Sequence, residues 1–441
     1  METQKELNLS AEASRILNKN WRESFTVPSS SLYPFQWLWD SGFNAMGWAN
    51  IDLERARTEI KTLLSAQWKN GLIPHITFHN DSADKMYFPG AEFHGAYHSP
   101  NSPDHVKTTG MTQPPVLGFV LEYLYEKEKD KSENLEFYKS AITSIISFHR
   151  YLYTDRDPYN EGLVYIRHNW ESGSDNSAVW DDVWKMYQPP VYNVERKDTT
   201  HVDQSQRPTK RDYDYYLNLI DISKQCNYDE AEMFEKLPFL IQDPMFNGIL
   251  AASNQSLIKL CELFGMNDEK TQCEFWHAKT TAGLNDKLYD ASQSLYRYYD
   301  LKNECYISMP TAMGFTPIMA GSPTKEQAAE MAKKIMGEDF TGPRLDGFLC
   351  PSLAVTSPSF EHNRYWRGPV WLQVNWILER GFRQYGFNEV ADRLKQDSLS
   401  LVQKDGFYEY FNPKNYSDEK GGYGGNDFSW TAAVILDFIN E

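Results

Sequence analysis

The stretch Ile51–Asn70 reads IDLERARTEIKTLLSAQWKN, and its apolar residues Leu53, Ala56, Ile60, Leu63 and Leu64 recur at three- and four-residue intervals. Arg55, Glu59 and Lys61 fall between them, and Gly71 follows where a helix C-terminal cap belongs. The pattern predicts an amphipathic helix. Asn247–Phe264 repeats it through Ile249, Leu250, Leu257, Leu260, Cys261 and Phe264, and Gly265 closes it. Comparable periodicity covers roughly 115–127, 133–153, 212–226, 269–288, 324–337, 368–385, 388–403 and 428–440, with weaker stretches near 11–20 and 40–50. Strand-like alternation is confined to short candidates at 162–167 and 406–411. About a dozen helices joined by loops predict an all-α fold, best met by a ring of six helical hairpins closed on itself, an (α/α)6 barrel.

In such a ring the long loops gather at one end, where function concentrates. Three stand out: 72–114, 156–211 and 405–427, the last carrying GGYGGND at 421–427. The chain has 441 residues and no Gly/Ser linker or abrupt shift in composition, so a single domain spanning 1–441 is expected. The polar region 156–211 reads as a loop excursion or a cap subdomain.

Composition narrows the partners. Thirteen Trp, 27 Tyr and 24 Phe exceed what a core requires, and surplus Trp and Tyr commonly line concave sites for flat, partly polar ligands. Sixty-one acidic residues against 44 basic ones give a net charge of -17, which repels phosphate backbones and anionic lipid surfaces. Neither nucleic acid nor a membrane is an expected partner. No apolar run reaches the ~18 residues of a membrane span, and the start METQKELNLS lacks the apolar core of a secretory leader. The five cysteines (Cys226, Cys261, Cys273, Cys305, Cys350) are scattered and read as buried free thiols in a reducing, cytoplasmic compartment.

Four short stretches concentrate chemistry. His168-Asn169-Trp170-Glu171-Ser172-Gly173-Ser174-Asp175 places two carboxylates four residues apart beside an indole face and small residues that admit a ligand. A turn with Asp175 capping the next helix and Glu171 solvated fits equally. Phe407-Tyr408-Glu409-Tyr410-Phe411 sets one carboxylate among aromatics, where desolvation raises its pKa toward proton-transfer use. An edge strand with Glu409 facing solvent is the plainer reading. Tyr33-Pro34-Phe35-Gln36-Trp37-Leu38-Trp39-Asp40 joins an acid able to accept from two vicinal hydroxyls with rings able to cover a sugar's C–H face, unless Asp40 is a simple helix N-cap. In Tyr365-Trp366-Arg367-Gly368-Pro369-Val370-Trp371, Pro369 suits a first helical turn, leaving Trp366 and Arg367 on the loop side.

Metal signals are weak. His75 and His79, and His94 and His98, have i, i+4 spacing, but Pro74 and Gly-rich surroundings argue against a helix presenting either pair. No HExxH, GxxxxGK[ST], GxSxG or GxGxxG is present, so no metal and no cofactor is expected.

Taken in order along the chain, QWLWDSGF, HNWESGSDNS, YWRGPVWLQVNW and FYEYFNP followed by FSWTAA resemble the glycoside hydrolases of family 63, from about residue 33 to 436. The compact length looks most like the branch that hydrolyses mannosylglycerate and glucosylglycerate. The resemblance implies an (α/α)6 barrel and an inverting glycosidase. It puts the general acid at Asp175, the general base at Glu409 and a sugar-binding acid at Asp40. It also matches a substrate-facing stretch at Trp366, Arg367 and Trp371; Tyr33, Trp37, Trp39, Gln113 and Trp170 are further candidate substrate-binding residues. A glycerate carboxylate would need a placed cation, and the basic cluster Arg207, Lys210 and Arg211 lies in a candidate site loop. Arg207 with Tyr213 has the branch's six-residue spacing; Arg211 with Tyr216 is a rival.

The expected activity is an exo-acting, inverting α-glycoside hydrolase on a small glycoside, mannosylglycerate or glucosylglycerate. An α-glucosidase for short gluco-oligosaccharides or another α-glucoside is the alternative. A sugar epimerase or lyase on the same barrel, or a carbohydrate-binding protein, stands behind these. A homo-oligomer is compatible with the sequence.

Overall fold

The computed structural model describes residues 2–79, 87–198, 202–414 and 421–440. Among them are twelve α-helices of eleven residues or more, at the positions the periodicity marks. Their burial separates two kinds. Leu53–Ser65 buries only Ala56, Arg57, Glu59, Ile60 and Leu63, the single stripe of an outer helix. Leu38–Ala49 is buried from Leu38 to Trp48, and Leu372–Gln384, Ser429–Asn440 and most of Pro244–Phe264 are covered all round in the same way. Such helices need protein on every side.

The covered elements touch in sequence. Leu38–Ala49 packs on Leu117–Lys127, that on Pro244–Phe264, then Ala312–Ala320, Leu372–Gln384 and Ser429–Asn440, which returns to Leu38–Ala49. Outside, Glu2–Asn20 lies on the last helix, Leu53–Ser65 on the first, Asn267–Gly283 on Pro244–Phe264 and Asn388–Asp405 on Leu372–Gln384. The result is a helical barrel. Close approach depends on glycine: a Cβ on Gly118 would stand 2.3 Å from the Ser253 carbonyl oxygen of the neighbouring inner helix.

Local chemistry sets the element ends. Asp52 accepts from the Glu54 and Arg55 amides and starts Leu53–Ser65. Asp243 caps Pro244–Phe264, with Pro244 in its first turn and Gly265 in the left-handed region (φ +69°) at its end, as the pattern predicts. Gly71 is not the cap of the preceding helix. That helix ends at Ser65, with Ala66 as cap, and Gly71 turns the chain farther on at φ +102°. Pro369 likewise lies before its helix, which begins at Leu372. The intervening backbone is extended because Val370 exchanges both main-chain hydrogen bonds with Phe411, at 2.8 and 2.9 Å. One inner element was not expected: Ala312–Ala320 is a 3-10 helix, and Pro317 inside it has no N–H to give an α-helical ladder.

The two expected strands are present as Tyr165–Ile166 and Tyr408–Phe411. Others join them. Gln36–Trp37, Ile76–Phe78 and Lys107–Thr108 form an antiparallel sheet, Gly422–Asn426 pairs with Tyr408–Phe411, and Tyr165–Ile166 enters a four-stranded sheet. Most are two or three residues long, too short for alternation to register. Residues 415–420 of the glycine-rich loop lie outside the described residues. Four cysteines are buried; Cys305 is exposed, because it sits on the edge strand Cys305–Ile307. No helix among the described residues is long and apolar enough to cross a membrane.

Candidate active site

Val370's bridge to Phe411 brings Tyr365–Trp366 beside Glu409 and Tyr410, and a cavity of about 700 Å³ opens there at one end of the barrel. Tyr33, Trp37, Trp39, Asp40, Gln113, Trp170, Asp175, Arg207, Tyr213, Trp366 and Glu409 all line it, so most residues singled out from the sequence converge.

Each side chain is held from behind. The sheet Gln36–Trp37/Ile76–Phe78 delivers the chain into Leu38–Ala49, whose first turn carries Asp40; the cap position is Trp37, and Asp40 caps nothing. The Trp39 amide donates to Gln113 Oε1 at 3.3 Å. Trp366 stacks on Trp371 with centroids 3.7 Å apart, and Trp371 stacks in turn on Tyr410. Trp371 is therefore a backing layer, and its indole N–H holds the Tyr365 carbonyl at 3.2 Å. That bond matters because Tyr365 is in the left-handed region at φ +36°, a strained backbone for an aromatic residue. The Trp366 amide donates to Asn176 Oδ1 at 2.8 Å, tying this segment to Asp175.

The stretch 168–175 rests on a buried ion pair. Arg156 and Glu171 are both 0 % exposed and meet at 2.9 Å. Glu171 also accepts the amides of Thr112 and Arg167, so it is neither solvated nor a cavity residue. Its charge is stabilised against burial by Arg156 and Arg167 and its pKa stays below the usual carboxylate range. Beyond it Gly173 turns at φ +73° with the Trp39 ring against it; a Cβ there would stand 2.8 Å from Trp39 Cη2. Gly173→Ala is expected to cost about 1–2 kcal/mol of stability for the left-handed backbone and, by displacing Trp39 and Asp175, about 10²-fold in kcat/KM. Steady-state kinetics with a melting curve checks both.

Asp175 and Glu409 differ in their partners. Burial pushes Asp175 up to about 7; Arg207 opposes this, Glu409 adds to it, and Tyr365 donates to Oδ2 at 3.3 Å. Burial raises Glu409 as well, but its charge is supported by the Arg207 guanidinium (Nη1 to Oε2, 3.7 Å), the Gly425 amide (3.1 Å) and the Tyr33 hydroxyl (3.0 Å). More donors face Glu409 than Asp175. The pair is thus biased toward a protonated Asp175 and an ionised Glu409. Asp40 is raised well above the usual range by burial and by Glu409.

Arg207, 5 % exposed, donates through Nε to Asp198, which Arg196 also pairs, and Arg196 lies 4.0 Å over the Tyr213 ring. Arg211 does not reach the cavity: it bonds Gln188 and packs on Tyr215. Arg207 and Tyr213 line the cavity, and Arg211 and Tyr216 do not. Arg367 also points away, paired with Asp181 at 2.5 Å, since neighbouring side chains in an irregular segment diverge. His75 and His79 flank the strand Ile76–Phe78, and Gly95 breaks the chain between His94 and His98, so neither pair shares a helix face. Among the described residues no three His, Cys, Asp or Glu side chains cluster as metal ligands.

Tyr87, Asp198, Tyr365, Phe428 and Trp430 line the cavity as well and were not singled out. Tyr365 and Trp430 had a signal, adjacency to Trp366 and to the aromatic stretch after the glycines. Tyr87 and Asp198 had none.

Carboxyls in unlike surroundings beside a wall of indoles are the groups that glycoside hydrolysis uses, and the cavity holds both. Residues 33–431 match the model of the mannosylglycerate hydrolase MGH1-like glycoside hydrolase domain. The mannosylglycerate hydrolase of Thermus thermophilus is 40% identical over 96% of this chain and 99% of its own length. The glucosylglycerate hydrolase of Mycolicibacterium hassiacum is 32% identical over 98% and 97%. The crystal structure of the GH63 mannosylglycerate hydrolase from Thermus thermophilus with Tris and D-glycerate superposes with a TM-score of 0.89, at 41% identity, covering 98% of this chain and 100% of that one. The chain belongs to the MGH1-like glycoside hydrolases of family 63, as its motifs imply.

Proposed function

We propose that this enzyme hydrolyses mannosylglycerate or glucosylglycerate to the sugar and glycerate, with inversion at the anomeric carbon, and that residues 1–441 form one (α/α)6-barrel catalytic domain. The order in which the inner elements touch supports the barrel. Asp175 protonates the departing glycosidic oxygen, and Glu409 takes a proton from the water attacking the opposite face. Asp40 and Gln113 hold sugar hydroxyls, and Trp39 and Trp366 line the same cavity.

One observation carries the aglycone: Arg207 is buried in a protein of net charge -17, and its Nη1 has no hydrogen-bond partner among the described residues while standing in the cavity wall. Keeping a buried guanidinium nitrogen without a hydrogen bond is costly, and a substrate carboxylate on this guanidinium supplies charge-assisted bonds. Tyr213 lies on the same wall. The mannosylglycerate and glucosylglycerate hydrolases to which the chain is similar support the same aglycone.

Proton NMR of mannosylglycerate, glucosylglycerate and a neutral α-glucobiose side by side tests the reading. The β-anomer is expected first, from a glycerate glycoside. First release of the α-anomer would refute inversion, and turnover of the neutral sugar alone would remove the glycerate.

A further inference from the structure

Arg207 is more than a wall of the aglycone site. Its Nη1 stands 3.7 Å from Glu409 Oε2, and its guanidinium carbon lies 4.3 Å from the centre of the Tyr365 ring, whose hydroxyl donates to Asp175. One buried cation therefore serves both carboxyls that the mechanism uses and, on the reading above, also receives the aglycone. We propose that the anionic aglycone takes part in the chemistry: by seating on Arg207 it takes up the positive charge that otherwise bears on Asp175 and Glu409, and so readies both groups for proton transfer.

The argument is a charge balance. In the empty site Arg207 is the largest influence opposing the burial of both Asp175 and Glu409. It favours the ionised form of each. That suits a base that must be charged but weakens it, and it works against an acid that must hold its proton. A carboxylate bound to Arg207 adds a negative charge beside Glu409 and across the Tyr365 ring from Asp175, and a charge at roughly 6 Å with an effective dielectric near 20 is worth about one to two pH units. Asp175 then keeps its proton to higher pH, and Glu409 becomes the stronger base.

The other groups around the pair leave this contrast intact. Glu409 is faced by Tyr33, Asp40, Tyr365 and Tyr410, and by the Gly425 amide; Asp175 is faced by Tyr365, Asp40, Tyr87, Tyr216 and Glu409 itself. Burial holds the Tyr33 and Tyr365 hydroxyls well above their usual range, so they stay neutral. Asp198 pairs Arg207 through Nε at 3.3 Å, while Nη1, which has no hydrogen-bond partner among the described residues, is turned toward Glu409. Asp40 meets the sugar in either case, so its contribution is common to two substrates that differ only in the aglycone charge.

The inference rests on the proposed substrate, and the test separates the two. The pH dependence of kcat is compared for the glycerate glycoside and for its carboxamide, which keeps the shape and loses the charge. In the wild type, both limbs of the bell are expected about one pH unit or more higher for the carboxylate. In Arg207→Met the offset should shrink, because nothing seats the carboxylate beside the pair, whereas Arg207→Lys, which retains the cation and guards against a variant that fails to fold, should keep most of it. Superimposable bells in the wild type, or an offset undiminished in Arg207→Met, would overturn the inference while leaving the substrate assignment standing. Refusal of both compounds would remove the substrate assignment first.

Discussion

Asp175→Asn is expected to lower kcat on the natural glycoside by about 10²–10⁴-fold, the usual worth of a positioned general acid, while sugar binding measured by calorimetry stays within a few-fold. The reason lies in the surroundings. Asp175 sits in a buried wall with a tyrosine hydroxyl at 3.3 Å, and burial holds it near pH 7, so at neutral pH a substantial fraction carries the proton the leaving group needs. Asn keeps the size and removes that proton. The loss should shrink with an aglycone that departs without protonation, such as fluoride. Glu409→Gln should lose a similar factor and recover nothing with fluoride, since the water still lacks its base. Equal responses of both variants to fluoride would undo the assignment of roles. The same geometry sets the pH profile: activity rises as Glu409 ionises and falls as Asp175 loses its proton, so the alkaline limb belongs to Asp175.

The second large effect concerns stability. Removing one partner of the fully buried Arg156–Glu171 pair, as in Glu171→Ala or Arg156→Ala, should cost about 3–5 kcal/mol, read from denaturant unfolding, because the other charge is stranded without water. Buried ion pairs are often replaceable by apolar residues at little cost. This one should not be. Glu171 also accepts two main-chain amides, from Thr112 at 3.1 Å and Arg167 at 2.8 Å, and Arg156 reaches Glu230 at 3.2 Å as well. Arg156→Met with Glu171→Leu would still orphan those amides at about 1–3 kcal/mol each. The double variant is therefore expected to remain destabilised, and full recovery of stability would show that the amides find other partners.

The helices from Leu53–Ser65 to Ser429–Asn440 were legible in the sequence, since three- and four-residue spacing, Asp243-Pro244 and Gly265 are statements about faces and ends that a segment makes alone. Extended pieces were not. Gln36–Trp37 and Ile241–Gln242 carry no period in two residues, and Val370 is extended because Phe411 pairs with it. The same division runs through the site. The motifs named Asp40, Asp175 and Glu409, but Arg367 and Trp371 lie in one of those motifs and stand outside the cavity lining. Between Arg207 and Arg211 the sequence offered only spacing; Arg207 precedes the helix Lys210–Gln225 and meets Tyr33 and Glu409, whereas Arg211 lies on that helix and bonds Gln188.

By itself, then, the sequence determined the helical class, the family and the carboxyls at its centre, because periodicity, caps and motifs are local. Only the tertiary structure decided which side chains share the cavity and in what ionisation state. Tyr33 meets Glu409 across 376 residues of chain, and Tyr365 meets Asp175 across 190. Closing the barrel creates those contacts and removes the water around them, and it is the loss of water that sets Asp175 apart from an ordinary aspartate.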